Sequence, residues 1–528
     1  MLWPIFVSLI AILGAAAYQR IRKSTIHRHG GDKLCYGPGT LPVLGNALKF
    51  LQPRHLLFDW FVHCQRKYGK ETFGISIPTL PSGVVINDPA ILEYVLRNES
   101  TITKGEFFRR RSWDLFGHGI INSDGELWKT QRKAGLKFFT GANLDTLIED
   151  VLPNAYMEIR AVLLEAAGSG QSLDLEATLL DLTTAVVGRM AYDMSISASS
   201  PFSRAFDYAS DQTGRRFQNP LYLITELFVG SKFRSSLAEV KKFGREIVWN
   251  AKVNRDERKP EASFSGFGSL VNSLMDAFDD DPNLTADAAL NFLSAGRDTT
   301  AQSLTWTFYS LMRHPSALAI LRKEADSTFA QSPPDHKSDK EEHSDTLIKL
   351  SVANLQPTNL PHAMSIFNES LRLYPPVPFE IKQCQVDTML PDGTFLPKGS
   401  IIIWCIWAMN RSPSAWGDDA DSFRPERWLT NPATSKDGHD ETAKLITKSA
   451  FEFPVFNGGP RSCLGKKMAE LMACWVLVQM WSEFDFEEIT GTQGAEKERR
   501  SKNSLTLPME GGLPCYVRLR AREREEEK

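Results

Sequence analysis

Cysteine is scarce in this chain of 528 residues: there are seven, an odd number, with no Cys-x-x-Cys pair. That excludes a disulfide-stapled scaffold and a zinc ribbon, and it fits a protein that works in a reducing compartment. A basic excess is also missing. Lys and Arg number 61 against 64 Asp and Glu, a net charge of −3, so no nucleic-acid partner is expected. Long apolar runs are absent except at the N-terminus, which excludes a multi-span membrane protein. No Gly-x-Gly-x-x-Gly follows a strand pattern and no internal repeat recurs. A dinucleotide-binding fold and a solenoid are therefore both unsupported.

What is present suits a large folded body. Apolar residues make up 42% and charged residues 24%, and 31 of the aromatics are Phe, values of an ordinary globular chain able to bury a sizeable core. Met1 to Tyr18 carries no charged side chain, and Arg20, Arg22 and Lys23 follow at once. As a helix, Leu2 to Tyr18 would span about 25 Å at ~1.5 Å per residue, enough for a thin bilayer. The charges follow the apolar run instead of preceding it. This favours an uncleaved anchor over a signal peptide and puts the rest of the chain in the cytosol. The expected organisation is a membrane anchor helix over 1–19, a basic and Pro/Gly-rich hinge over 20–46, one body over 47–520 and a charged tail over 521–528.

Periodicity predicts a body that is mainly α with small β-sheets. Strand patterns occur at Glu71–Ile77, Gly83–Ile86, Gly399–Trp404 and Cys515–Leu519. Asp88-Pro89 reads as a helix start. The longest helical pattern runs from Asp281 to Arg313, with Thr285 as the expected cap and His314-Pro315 as its end. Ser332–Thr346 is polar and reads as a surface loop. Asn368-Glu369-Ser370 is a glycosylation sequon, but it falls in a segment read as a buried helix, where a glycan would not fit.

The strongest chemical signal is Phe456-Asn457-Gly458-Gly459-Pro460-Arg461-Ser462-Cys463-Leu464-Gly465. Its glycines let the backbone turn tightly and approach a flat ligand. Arg461 sits two residues before the sulfur and a helix from Leu464 to Glu483 begins just after it. Both favour thiolate over thiol. Such a thiolate can serve as a nucleophile or as an iron ligand.

The pattern Phe456-x-x-Gly459-x-Arg461-x-Cys463-x-Gly465 resembles the haem-ligand signature of the cytochrome P-450 monooxygenases, and three further motifs lie in the order that family shows. Ala295-Gly296-Arg297-Asp298-Thr299-Thr300 sits mid-way along the long helix, where Thr hydroxyls bond back to carbonyls. The resemblance implies that this helix crosses the distal face of the haem, with Thr299 and Asp298 as the catalytic oxygen-binding and proton-relay residues. Glu369-Ser370-Leu371-Arg372 pairs charges on one helix face. With Arg427 it is implied to form a buried structural network behind the cysteine loop. Trp128-x-x-x-Arg132 is implied to bind a haem propionate together with Arg461, and Lys382 is a further candidate for that role. Phe456 and Cys463 complete the cofactor set, Cys463 being the axial iron ligand.

The implied activity is insertion of one atom of O2 into a lipophilic substrate, with haem b as cofactor. Since no flavin or nucleotide module is found, electrons are expected from NADPH through a separate membrane-bound flavoprotein reductase. The implied location is the endoplasmic reticulum membrane. Lys129, Lys133, Lys137, Lys466 and Lys467 form a candidate docking patch for an acidic donor. The candidate substrate pocket is Phe107, Phe108, Ile121, Phe292, Ala295, Val377, Phe379 and Met509, largely apolar residues. The stretches Gly117–Trp128 and Ala295–Trp306, with Leu390–Thr394, resemble the fungal and plant branch that hydroxylates fatty acids and n-alkanes at or near the chain end. A polycyclic or secondary-metabolite substrate is the alternative. A haem electron carrier or sensor without turnover is a third reading, which the Asp298-Thr299 pair disfavours.

Overall fold

The computed structural model describes residues 14, 26–28, 34–78, 80–257, 269–330, 347, 349–430, 443–490 and 498–521. The expected anchor helix lies outside the described residues except for Gly14, and so do the Ser332–Thr346 loop and nearly all of the tail. Among the described residues no helix is long and apolar enough to cross a membrane.

Helices dominate, and one of them organises the rest. The central helix Pro282–Arg313 starts where Asp281 accepts hydrogen bonds from the Asn283 and Leu284 N–H groups (2.8 and 3.0 Å), with Pro282 in its first turn. Asp281 is thus the cap, and Thr285 instead donates its hydroxyl back to the Asp281 carbonyl. The helix stops at His314, before Pro315, which cannot continue it. It packs against the helices Leu175–Tyr192, Ser231–Glu257, Pro361–Leu373 and Lys466–Glu483. Being covered on nearly all sides, it is apolar or small around most of its circumference, not on one stripe alone.

A five-stranded sheet flanks this helical core in the order Phe73–Ile75, Gly83–Val85, Ile401–Cys405, Phe379–Cys384, Ile102–Thr103. The first two strands form the expected antiparallel pair, with Phe73 opposite Val85. Gly83–Val85 runs parallel to Ile401–Cys405, and the remaining pairings are antiparallel. A second sheet joins Phe484–Glu488, Pro514–Leu519 and Leu173–Asp174. It turns the C-terminal loop back over the body, which matters for the cavity below.

The Pro/Gly stretch read as a hinge is joined to the body over much of its length. His27 and Arg28 pair with Phe395 and Thr394, and Ile26 and Leu34 are buried in the core. The Trp60 indole N–H donates to the Pro38 carbonyl (3.0 Å) and the Tyr68 hydroxyl to that of Tyr36 (2.8 Å). Pro and Gly here set turns that fold onto neighbours; their presence does not imply a free linker.

Candidate active site

A cavity of about 470 Å³ lies between the central helix and the segment around Cys463. The loop that carries the sulfur is closed by the Cys463 N–H, which donates to the Phe456 carbonyl (2.8 Å). Gly459 has φ of +63°, and a Cβ there would come within 2.5 Å of the Leu96 carbonyl oxygen. Only glycine fits that turn. At Gly465 the nearest protein atom to an added Cβ is 3.8 Å away, so protein packing alone does not demand a glycine there.

Cys463 is exposed by surface area although protein groups surround it. Its accessible surface is that of a residue lining the cavity. Burial pushes its thiol up, and the Gly465 N–H with the charges of Arg132 and Lys466 pulls it part of the way back. Arg461 had been expected to supply that charge. Its guanidinium is instead bound by Glu99, by the Ser123 carbonyl (2.9 Å) and by Asp124 (2.7 Å). The helix after the loop begins at Lys466.

Opposite, the central helix presents its exposed positions. Ala295 is exposed and Gly296 and Thr299 are half-exposed in a stretch whose other members are mostly buried. All three line the cavity. The Thr299 hydroxyl donates to the Ala295 carbonyl (2.6 Å) within an unbroken helix. Sulfur and hydroxyl residue therefore open on one space from two separate elements.

Asp298 is placed differently from the expectation. It does not line the cavity; it is buried and ion-paired with Arg297 (2.6 Å), which also binds Asp207 (2.7 Å) and the Thr184 hydroxyl (3.0 Å). Burial raises its carboxyl to about 6 against the pull of Arg297. Its carboxylate turns away from the cavity toward Arg297, although its neighbours Thr299 and Thr300 line it.

Trp128, Arg132, Phe456 and Arg461 all line the cavity. The Trp128 ring lies 4.6 Å from the Arg461 guanidinium and 5.7 Å from that of Arg132. Arg132 donates to the Ser462 carbonyl (2.8 Å) and so ties its helix, Gly125–Phe138, to the cysteine loop. Lys382 is a correction. Its ammonium is buried, bound to Glu99 and to the Ile102 carbonyl, and it does not line the cavity. It shares Glu99 with Arg461 from behind.

Of the expected pocket residues, Phe108, Ile121, Phe292, Ala295, Val377 and Phe379 line the cavity, and Phe107 and Met509 do not. Phe107 is buried under the Arg111 guanidinium, 3.9 Å from its ring. Met509 belongs to the main core, with its N–H donated to Glu176. One wall of the cavity went unanticipated: Arg54, Leu57 and Phe61 on the helix Arg54–Tyr68, Phe217, and Leu505 of the C-terminal loop. The spacing 54, 57, 61 is one helix face, and a basic residue in an apolar stripe was its available signal.

Glu369 does not line the cavity; it is fully buried and accepts two bonds from Arg372 (2.8 Å each), one from Arg427 (2.9 Å), one from the Trp428 indole (2.9 Å) and one from the Arg424 N–H (2.8 Å). Arg372 also donates to the carbonyls of Asn410, Ala420 and Ser422. Lys129, Lys133, Lys137 and Lys466 are exposed, with Lys129 paired to Glu126, and Lys467 is half-buried and bound to Gln356. A Cβ on Gly135 would meet Leu464 at 3.0 Å, so the lysine-bearing helix runs beside the cysteine loop.

Comparison with known proteins agrees with this geometry. The family model for cytochrome P450 matches residues 36–515. Cytochrome P450 monooxygenase cyp1 of Mycosarcoma maydis is 31% identical over 92% of this chain and 75% of its own length. Cytochrome P450 CYP94D108 of Paris polyphylla is 29% identical over 90% of each, and cytochrome P450 704B1 of Arabidopsis thaliana is 31% identical over 84% of this chain and 88% of its own. A match that runs across nearly the whole body and takes in both walls of the cavity leaves one conclusion: the chain belongs to the cytochrome P450 family, haem-dependent monooxygenases that incorporate molecular oxygen.

Proposed function

We propose that this protein hydroxylates a long aliphatic chain at or near its end: R–H + O2 + two electrons + two protons give R–OH + H2O. The observation that carries the reading is a single cavity bounded by the Cys463 sulfur on one side and by Ala295, Gly296 and Thr299 on the other. The residues present suit a flat, iron-bearing macrocycle. A soft sulfur donor faces the cavity, the central helix opposes it with little side-chain bulk, and the cations Arg132 and Arg461 stand at the wall beside Trp128. Haem bound there would supply oxygen activation, with the Cys463 thiolate pushing electron density toward the iron to favour O–O cleavage.

The chain's own residues have distinct tasks. Gly465 and Arg132 stabilise negative charge on the sulfur, through an N–H bond and a nearby cation. Trp128, Arg132, Phe456 and Arg461 hold the cofactor. Thr299, with its hydroxyl resting on the Ala295 carbonyl, can rotate to donate into the cavity and deliver protons there. Asp298, ion-paired behind the wall, acts on that hydroxyl only through the helix or after breaking its pair with Arg297. Phe108, Ile121, Phe292, Val377 and Phe379 orient an apolar chain and keep water out.

Electrons come from NADPH through a separate flavoprotein reductase that docks on the basic face of Lys129, Lys133, Lys137 and Lys466. The protein sits on the endoplasmic reticulum membrane. Besides the apolar N-terminal run, the helix Tyr222–Val229 supports this: Leu223, Leu227, Phe228 and Val229 are each at least two-thirds exposed, at 68, 76, 83 and 73%. An apolar face so exposed is stable against lipid and costly in water. The test is product mass spectrometry on microsomes holding this protein and a reductase, fed fatty acids, alkanes and sterols. Oxygen is expected at the end of a linear chain, and Cys463→Ala is expected to lose both the product and the red-shifted carbon-monoxide band of the reduced protein. Oxidation of sterols alone overturns the aliphatic reading.

A further inference from the structure

Four cations line the cavity, and three have settled partners. Lys104 is neutralised by Glu380 at 2.6 Å. Arg461 is held by Glu99 and Asp124. Arg132 is bonded to Ser462 beside the sulfur. Neither Arg132 nor Arg54 has a carboxylate partner among the described residues, but Arg132 lies beside the Cys463 sulfur, whose charge attracts it, whereas Arg54 is hydrogen-bonded to backbone carbonyls. Its Nη1 donates to the carbonyls of Lys502 (2.9 Å) and Thr506 (2.6 Å). Nε and Nη2 have no partner among the described residues. Asp211 attracts it from a distance, but its own hydrogen bond goes to Arg215.

Every local rule runs against a cation at this place. Arg54 is 6% exposed, and an unpaired buried charge is strongly disfavoured. Its guanidinium is pulled down to about 9 by desolvation, which still leaves it charged at neutral pH. It is the first residue of its helix, the positive end of the peptide dipole, where anions are favoured and cations are not. Its structural return is a tie to two loop carbonyls and a contact with the Phe58 ring at 5.2 Å, neither of which supplies a counter-charge. A residue that breaks several rules for so little return marks a functional position. Its unused nitrogens form the flat fork that binds a carboxylate through two parallel bonds. The wall Arg54 belongs to mixes Leu57, Phe61, Phe217 and Leu505 with the polar Gln218, Asn503 and Ser504, and Phe108, Ile121 and Phe292 make other parts of the lining apolar.

We propose that Arg54 is the recognition residue for the carboxylate of a long-chain fatty acid. This rests on the aliphatic reading above and narrows it from alkyl chains in general to the free acid. It also sets the polarity of binding. The acid group is held by the wall that Arg54 shares with the C-terminal loop, and the chain runs toward Cys463, so the reacting carbon lies far from the carboxylate.

The experiment is calorimetric binding of palmitate, methyl palmitate and hexadecane to the full-length haem-loaded protein at neutral pH. Palmitate is expected to bind about 10- to 100-fold more tightly than its ester, the value of a charge-assisted pair in a desolvated site. In Arg54→Gln that preference vanishes and binding of the ester and hexadecane stays as in the parent. Arg54→Lys keeps the charge but loses the fork. It retains a preference for the acid at several-fold weaker affinity, and it decides the matter if the Gln variant does not fold. Equal binding of all three probes by the parent overturns this proposal and leaves the aliphatic reading standing, as does an acid preference that survives in Arg54→Gln or an undiminished acid affinity in Arg54→Lys. Binding of none of the three overturns both.

Discussion

Arg372 and Arg54 are both buried guanidiniums, and they are held in opposite ways. Arg372 has no accessible surface, and its fork closes on Glu369 while three carbonyls take its other hydrogens. Arg54 touches two carbonyls and no carboxylate, and it faces a cavity. The first arrangement is complete within the chain, so it is a structural joint between the helix Pro361–Leu373 and the segment at 410–428. The second lacks its counter-charge within the described protein, so it is poised for something that arrives. Burial alone does not separate a structural charge from a recognition charge; the count of satisfied bonds does.

Breaking the joint is expected to have the largest effect. Glu369→Gln leaves Arg372 buried without its anion, while Arg427 keeps Asp419 at 3.4 Å, and breaking such a buried pair costs about 3–5 kcal/mol. Urea unfolding should show that loss. A midpoint near the parent's would mean that the cluster is not the joint described.

A smaller, pH-dependent effect is expected about two turns away along the same helix. Glu324 is buried against the start of the same helix, accepting the His362 and Ala363 N–H groups (2.8 and 2.7 Å). Burial raises its carboxyl from 4.5 to about 7. A raised carboxyl binds more protons in the folded state, so its contribution to stability is full below the unfolded value and is lost as pH rises through the folded one. Stability read from thermal melts should therefore fall between about pH 4.5 and 7 by about 3 kcal/mol traceable to this group. Glu324→Gln should remove that slope; an unchanged slope assigns it elsewhere.

The smallest effect belongs to Arg54. Arg54→Gln loses bonds to two carbonyls but also relieves a desolvated, unpaired cation. Unfolding is expected within about 1 kcal/mol of the parent. A loss like that of Glu369→Gln would make Arg54 a second joint and erase the contrast.

Much of the site was legible from residue order alone. The Phe456–Gly465 window, the Ala295–Thr300 segment and the Glu369–Arg372 pair are local patterns, and each lies where its type of residue was expected. Lys382, Phe107 and Met509 were misplaced because motif position does not say which way a side chain points. In the strand Phe379–Cys384, Phe379, Glu380 and Ile381 line the cavity, whereas Lys382 is drawn to Glu99 and does not. Asp298 is a neighbour of Thr299 in sequence, yet it is drawn into an ion pair with Arg297 and does not line the cavity.

The sequence by itself determined the candidate cysteine window, the mainly helical body, the long helix with its termini, and the family. These depend on local chemistry and on periodicity within one element. Tertiary structure alone decided which residues share the cavity, which cations are already neutralised, and that Arg54 meets a C-terminal loop some 450 positions away. Pairing of charges across such separations is set by how elements pack, and no local pattern encodes it.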